Sequence, residues 1–237
     1  MKIKNQVLKY YFVIDTIFGT KKKVDKINLE NIKKVIKSNG KEKLTILLHG
    51  TGSTYYGAMY GILKWFTKKG IKIVSIGYDD SDKVKESSLK VKKQIEKIIK
   101  IAKVKKVNVI GISLGGLIAR YYIEKYNGSK VVNKLITVYT PLKVVDNRFG
   151  MFLNKLVGGR PEDYNKATEE IKNKFSIRNH LAIYGKHDGI IGMQYPFKSI
   201  PKYIKQVGVE GGHTLVSYNL DAMGIALKYL KNKKVKW

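Results

Sequence analysis

The sequence predicts an α/β protein in which helices cover both faces of a mainly parallel sheet. Short apolar runs rich in β-branched residues alternate with longer stretches of helical periodicity, and this alternation is typical of strand–helix–strand units. The length of 237 residues fits one sizeable domain. With 43% hydrophobic residues, 22 Gly and 4 Pro, the composition is that of a globular chain rather than a disordered or repetitive one.

The alternation begins at residue 44 and continues almost to the end of the sequence. Strands are predicted at residues 44–48, 71–76, 107–112, 135–139, 181–184 and 203–207. Helices are predicted at residues 29–36, 55–69, 84–103, 114–126 and 216–230. Gly70 suits the left-handed position that ends the helix at 55–69. In the next helix five apolar residues share one face: Val91, Ile95, Ile98, Ile99 and Ala102.

Residues 1–43 precede the alternation, and we predict that they form an N-terminal extension packed on a core domain of residues 44–237. The extension contains an apolar run at 7–18, which is shorter than the roughly 18–20 residues of a spanning helix and is interrupted by Lys9 and Asp15. No small-residue cleavage site follows it, so we predict no signal peptide and a cytoplasmic protein. The alternative is that the run presents an apolar face to a membrane surface, which would make the protein peripheral.

A second segment, residues 141–179, separates two predicted strands by far more than the usual loop of about 2–6 residues. We therefore predict two helices in this insertion, at 149–157 and 162–175. Apolar side chains at helical spacing, Phe149 and Phe152 among them, make the first helix a candidate lid that contacts substrate. Ordinary packing of the insertion on the core explains the same spacing equally well.

The charge is strongly positive, with 47 Lys and Arg against 18 Asp and Glu and a formal net charge of +29. Arginine occurs at four positions, so nearly all basic residues are lysines and they are spread along the chain. Proteins that recognise nucleic-acid bases and phosphates favour the planar guanidinium of arginine. The excess therefore indicates a coding bias or attraction to an anionic membrane surface, and no specific nucleic-acid partner is expected. The absence of cysteine excludes disulfides, thiolate zinc sites and a cysteine nucleophile.

One strand leads directly into a candidate nucleophile. The run Gly111-Ile112-Ser113-Leu114-Gly115 follows the strand at 107–110 and precedes a helix, which is the context that the G-x-S-x-G arrangement requires. A serine on so sharp a turn projects its hydroxyl, and the flanking glycines allow the backbone to close around it. Taken alone, the same serine also fits a helix N-cap.

A serine nucleophile needs a base, and the base needs an acid to orient it. His213, after the last predicted strand, is the base that we predict, whereas His49, His180 and His187 fit structural or loop roles. Asp188 directly follows a strand between Ser113 and the histidine and is the predicted acid; its alternative is a turn aspartate before glycine. The four histidines lack close ligand spacing, so we expect no metal.

The oxyanion of the reaction would need preorganised donors. The N–H of Leu114, directly after the serine, is one candidate. The glycine-containing loop after the first core strand lets its backbone approach the substrate, and the N–H of Thr51 is the second candidate. Ser53 and Tyr55 are candidate acyl-pocket residues, although helix capping explains Ser53 or its neighbour Thr54 almost as well.

With these residues in place, the chain resembles the α/β-hydrolase superfamily, in the style of small bacterial lipases and esterases. The resemblance runs through LLHGTG at 47–52, GISLGGLIARYY at 111–122, YGKHDGII at 184–191 and GGHTLVSYN at 211–219. It implies an α/β-hydrolase fold with a helical cap insertion and a cofactor-free serine hydrolase that cleaves carboxylic esters or lipids. The alternatives are an acyltransferase or thioesterase with the same triad, or a non-catalytic protein that binds lipid or anionic surfaces on a hydrolase scaffold.

Overall fold

The computed structural model describes residues 20–144, 155, 159–189, 200–213 and 219–233. The strands in these ranges are β1 (Leu44–Leu48), β2 (Lys72–Ile76), β3 (Val107–Ile112), β4 (Val132–Val138), β5 (His180–Gly185) and β6 (Lys205–Val209). The helices are α1 (Lys21–Lys37), α2 (Met59–Lys68), α3 (Val84–Ala102), α4 (Leu114–Lys125), α5 (Pro161–Ile171) and α6 (Leu220–Leu230), with a 3₁₀ turn at Gly128–Lys130.

The six strands form one parallel sheet in the order β2-β1-β3-β4-β5-β6. Helices cover both faces, so the predicted fold class is confirmed. β1 and β3 are buried along their whole length, as expected for strands enclosed on both sides. Successive side chains serve opposite faces: Ile46 packs with α3 and α4, whereas Leu47 packs with α2 and α6.

The strand order places a crevice at the carboxyl ends of β1 and β3. Chain order reverses between these two neighbours, because β2 lies on the far side of β1. At such a switch point the loops after the two strands leave in opposite directions and open a space for ligands. Leu48, the last residue of β1, lies level with Gly111 near the end of β3. The predicted nucleophile turn and the loop that carries Thr51 therefore meet at this point.

Helix α1 packs beside β2 through asparagine side chains. The side-chain amide of Asn28 accepts a hydrogen bond from the Ser75 N–H at 2.9 Å and donates one to the Ser75 carbonyl at 2.8 Å. Asn31 donates to the Ile73 carbonyl at 2.8 Å. These contacts satisfy backbone groups of a strand that has one neighbour in the described sheet. The helix begins at Lys21, well before the predicted start at residue 29.

Helix α5, in the second half of the insertion, packs against the nucleophile helix α4. The Tyr121 hydroxyl donates to Glu170 at 2.7 Å, and the buried Arg120 guanidinium donates to the carbonyls of Leu142, Ile171 and Lys174. This part of the insertion is therefore fixed to the body of the domain. The predicted helix at 149–157, including Phe149 and Phe152, and the apolar run at 7–18 lie outside the described residues.

Some element boundaries differ from the predictions for local reasons. The helix predicted at 55–69 begins at Met59, because the Thr54 hydroxyl accepts from the Gly57 N–H at 2.9 Å and closes a turn first. α6 begins at Leu220, where the Asn219 side chain accepts from the Asp221 and Ala222 N–H groups; residues 214–218 lie outside the described ranges. Gly70 has φ +84°, the left-handed conformation that was predicted. In the described ranges no helix combines the length and apolarity needed to cross a bilayer.

Candidate active site

Ser113 lies on a sharp turn between β3 and α4, with φ 50° and ψ −118°. Few residues with a side chain adopt this conformation. A Cβ at Gly111 would lie 2.5 Å from the Gly116 Cα, and a Cβ at Gly115 would lie 2.7 Å from the Leu48 carbonyl oxygen. Both positions therefore require glycine, as the sequence pattern predicts. The Ser113 N–H donates to the Val138 carbonyl at 2.8 Å, which fixes the turn to β4.

The structure brings the three residues of the predicted triad together. Ser113 Oγ lies 2.8 Å from His213 Nε2, and His213 Nδ1 lies 2.8 Å from Asp188 Oδ2. The Asp188 side chain is fully buried, and the His213 side chain keeps 12% of its surface exposed. With its Nδ1–H donated to the carboxylate, the imidazole presents the Nε2 lone pair to the serine hydroxyl. This tautomer is the one in which a histidine accepts a proton from serine.

Two residues that the sequence reasoning missed support the histidine loop. The Tyr139 ring meets the His213 ring edge-on, with centroids 6.0 Å apart. The Asn219 amide donates to the Tyr139 hydroxyl at 3.0 Å and to the Glu210 carbonyl at 2.8 Å. Because the same side chain caps α6, it connects the helix, the end of β6 and the loop that carries the histidine. An asparagine directly before an apolar helical run is the sequence signal that identifies such a cap.

The loop at residues 49–54, hereafter the oxyanion loop, runs against the nucleophile: a Cβ at Gly50 would lie 3.2 Å from the Ser113 Cβ. His49 is buried and its ring stacks on Tyr78 at 4.1 Å. The Tyr78 hydroxyl donates to the His49 carbonyl, and His49 Nδ1 lies 3.0 Å from the Gly50 carbonyl oxygen. Burial lowers the pKa of His49, so a neutral ring with a loop-shaping role fits the prediction.

Two further contacts tether the same loop. The Gly52 N–H donates to Asp80 Oδ2 at 2.5 Å, and Thr51 Oγ1 shares a hydrogen bond with the Tyr164 hydroxyl at 3.2 Å. The Gly52 N–H is therefore bound to Asp80. The neighbouring Thr51 is held by the bond from its side chain to Tyr164. Leu114 opens α4 directly after the nucleophile, so its N–H belongs to the first turn, where the helix dipole is positive.

The other histidines lie apart from this cluster. His180 is buried in β5, where its Nε2 lies 3.0 Å from Thr137 Oγ1, and burial lowers its pKa to about 3. His187 is exposed and pairs with Glu210 at 3.2 Å. Within the described ranges, no group of three or more His, Asp or Glu side chains is arranged to hold a metal ion.

The candidate substrate residues are less closely gathered. Ser53 makes one long contact, 3.5 Å from its Oγ to the Thr54 carbonyl oxygen. The Tyr55 hydroxyl donates to Asp25 at 3.2 Å, and its ring lies against Gly77, where a Cβ would approach within 2.6 Å. Tyr55 therefore faces a cavity that Ser113 does not line. Phe149 and Phe152 fall outside the described residues.

The sequence model of the palmitoyl protein thioesterase family matches residues 45–223, which include the nucleophile turn, Asp188 and His213. The chain belongs to this family. No curated protein sequence matches it. Membership makes the chain a hydrolase of the broad esterase, lipase and thioesterase type, within the α/β-hydrolase superfamily.

Solved structures from other organisms share the fold. The mature lipase BlEst2 of Bacillus licheniformis aligns with a TM-score of 0.64 at 13% identity, over 80% of this chain and 92% of the lipase. The monoacylglycerol lipase of Paleococcus ferrophilus aligns at 0.60 and 16% identity, over 80% and 94%. The esterase Pf2001 of Pyrococcus furiosus aligns at 0.57 and 17% identity, over 82% and 84%. At these identities the likeness establishes the α/β-hydrolase fold.

Proposed function

We propose that the chain is a serine hydrolase that cleaves carboxylic esters through an acyl-enzyme on Ser113. The observation that carries this proposal is the continuous hydrogen-bonded chain from Ser113 Oγ through the His213 ring to Asp188, with both contacts at 2.8 Å. A serine hydroxyl is a weak nucleophile unless a base takes its proton, and this arrangement supplies the base together with the acid that orients it.

In the first half of the reaction, Ser113 Oγ attacks the ester carbonyl and its proton passes to His213 Nε2. Asp188 holds the imidazole through Nδ1 and stabilises the positive charge that forms on the ring. The protonated Nε2 then gives its proton to the leaving alcohol as the carbon–oxygen bond breaks. The acyl group remains on Ser113, and the histidine returns to its neutral form.

The developing oxyanion would be bound by the N–H groups of Leu114 and Thr51. Leu114 follows the nucleophile at the start of α4, and Thr51 lies in a loop that is tethered on both sides. Donors that are fixed before the reaction lose no free energy to reorganisation when charge develops. In the second half, a water molecule attacks the acyl carbon while His213 takes one of its protons; the bond from that carbon to Ser113 Oγ then breaks, His213 returns the proton to Oγ, and the acid leaves.

The direct test is to replace the nucleophile and to label it. Ser113→Ala is expected to lower turnover of activated esters by about 10⁴–10⁶, as in other triads. A fluorophosphonate probe should modify wild-type protein at Ser113, as mapped by mass spectrometry of the labelled peptide. Ser176→Ala is a matched control, because this exposed serine donates its hydroxyl hydrogen bond to Glu124 and not to His213. Near-normal turnover by Ser113→Ala would contradict the proposal.

A thioester substrate is the second candidate, and the family match favours it, because the family is described as palmitoyl protein thioesterase. The same triad serves both substrates, since the thiolate leaves where the alcohol would leave. A pair of substrates with one palmitoyl chain, an oxygen ester and a thioester, separates the two. A higher kcat/KM for the thioester assigns that activity; the reverse order assigns the ester. Shortening the acyl chain in both substrates then measures how much of the rate depends on chain length.

A further inference from the structure

A cavity of about 610 Å³ lies apart from the candidate active site, between α1, the end of β2 and α3. Its lining includes neither Ser113, Asp188 nor His213. The two ends of the oxyanion loop, His49 and Thr54, both line the cavity and connect it to the candidate active site. The volume is within the range of about 300–1,000 Å³ that is usual for small-molecule sites.

The lining changes in character from the buried end to the opening. Val74, Ile76 and Ile98 line the cavity and are buried, which makes the inner part aliphatic. The walls carry three aromatic rings, those of Tyr55, Tyr56 and Tyr78. The first two rings meet edge-to-face at 5.2 Å, and the third is held by its stack on His49.

The charge of the cavity is opposite to that of the protein. Asp25 and Asp79 line it and are exposed. Among the described residues that line the cavity there is no lysine or arginine, although the chain contains 47 of them in 237 residues. Hydrogen bonds from Ser81 lower the pKa of Asp79, so this carboxylate stays ionised. Burial, with a contribution from Asp25, raises the pKa of Tyr55 to about 12, so its phenol stays neutral.

We propose that this cavity binds a small organic cation with an apolar body, of the alkylammonium or quaternary ammonium class. Its positive group would lie between the carboxylates of Asp25 and Asp79 and over the tyrosine faces, which attract cations through the ring quadrupole. Its apolar body would contact the aliphatic inner part. The cation is either a free amine or the head group of a lipid such as phosphatidylcholine.

The test uses the full-length protein and three probes of similar size: butyltrimethylammonium, butanesulfonate and 1-hexanol. Calorimetric or NMR titration should show binding of the cation, at least about fivefold tighter than binding of either other probe. Asp25→Asn, which removes one charge, and Tyr56→Leu, which removes one ring but keeps an apolar side chain, should each raise Kd by about two- to fivefold. Asp82→Asn is the matched control, since this carboxylate does not line the cavity.

Two further sets of measurements, on folding of the variants and on binding to vesicles, complete the test. Melting temperatures of all variants show whether each is folded, and Ser113→Ala must bind the cation as wild type does, because the cavity is separate from the nucleophile. Co-sedimentation with phosphatidylcholine vesicles that Asp25→Asn weakens by about two- to fivefold identifies a lipid head group; binding of the free cation without co-sedimentation identifies a free amine. Equal binding of the sulfonate, or unchanged Kd in both folded cavity variants, would overturn the proposal.

Discussion

At Ser113 the backbone conformation of the sharp turn after β3 costs stability. The residue has φ 50° and ψ −118°, a region that glycine enters freely and other residues enter at a cost of about 1–3 kcal/mol. The surrounding contacts enforce it: the Ser113 N–H is bound to β4, and its carbonyl accepts from the Thr140 hydroxyl at 3.0 Å. The strain is therefore a property of the turn and not of the hydroxyl.

This strain predicts a difference in stability between two variants that lack the Ser113 hydroxyl. Ser113→Gly and Ser113→Ala both remove the hydroxyl, but the glycine also removes the Cβ that makes the conformation unfavourable. We expect the glycine variant to have a free energy of unfolding about 1 kcal/mol higher than the alanine variant. Urea denaturation of the two proteins measures the difference. A more stable alanine variant would show that the turn is not strained.

A second prediction at the scale of a single residue concerns pH. Burial lowers the pKa of His180 to about 3, below the value of about 6.5 in the unfolded chain. Between these two values the unfolded state binds a proton that the folded state does not. The free energy of unfolding should therefore fall as pH is lowered from 6.5, by up to about 1.4 kcal/mol per pH unit from this residue.

His180→Gln removes the group that binds this proton in the unfolded chain. The free energy of unfolding should therefore depend less on pH in the variant, as measured by urea denaturation between pH 7 and pH 5. His49 is also buried with a lowered pKa, so some dependence should remain in the variant. His187→Gln is the matched control, because it removes a histidine whose ring is exposed on the surface and not buried in the sheet. An unchanged slope in His180→Gln would contradict the assignment.

At the scale of elements, α5 stabilises the start of α3. The residue before α3, Lys83, offers no side-chain cap, and the Val84 N–H instead donates to Asp163 Oδ2 at 2.8 Å. The acceptor comes from a position 79 residues later in the chain. Helix starts leave N–H groups unsatisfied, so a carboxylate supplied by a packed neighbour serves the purpose of a local cap.

Asp163→Ala should therefore lower the free energy of unfolding by about 1 kcal/mol, the usual cost of losing a helix cap. Glu162→Ala is the matched control: it removes a carboxylate from the same first turn of α5, but one that is exposed and paired with exposed Lys155. Its effect should stay within about 0.5 kcal/mol. Equal losses in the two variants, measured by urea denaturation, would assign the effect to the dipole of α5.

The oxyanion loop is the second element that neighbours hold in place. Asp80→Ala removes the acceptor of the Gly52 N–H and should loosen the loop that carries Thr51. We expect kcat to fall about tenfold with little change in KM, because the contact acts on the oxyanion rather than on the bound substrate. Asp80→Asn keeps an acceptor and should restore most of kcat. A loss confined to KM, or no rescue by asparagine, would argue against this positioning role.

For the whole molecule, the dominant quantity is a net charge of +29 on 237 residues. Charge of one sign opposes the compact state through self-repulsion, and salt screens this repulsion over a Debye length of about 30 Å at 0.01 M and about 3 Å at 1 M. We expect the melting temperature to rise between about 0.01 M and about 1 M NaCl. A flat or falling melting temperature would show that self-repulsion is not a dominant cost to the folded state.

The same charge leads us to propose an anionic membrane surface as a partner. Lysines near such a surface contribute about 1 kcal/mol each. The protein should co-sediment with vesicles containing phosphatidylserine at low salt and be released as NaCl increases. Phosphatidylcholine vesicles without anionic lipid are the control for the charge effect. Binding to anionic vesicles that resists high salt would mean that apolar contacts, not charge, hold the protein there.

Local sequence patterns predict several features of the fold and of the candidate site. The alternation of apolar periods predicts the layered sheet, because burial imposes period 2 on strands and 3.6 on helices. Gly111 and Gly115 mark the turn at Ser113, because backbone atoms leave no room for a Cβ there. The order of Ser113, Asp188 and His213 at strand ends predicts their meeting, because parallel strands share one carboxyl edge.

Contacts between positions far apart in the chain follow from tertiary packing. Thr51 and Tyr164 are 113 positions apart, and nothing in either local sequence indicates that they touch. The same holds for the cap that Asp163 supplies to α3, for the link from Asn219 to Tyr139, and for the position of Tyr55 beside Asp25. Such contacts depend on how packed helices, strands and loops are placed relative to one another. Local sequence patterns do not specify that placement, so they do not predict these contacts.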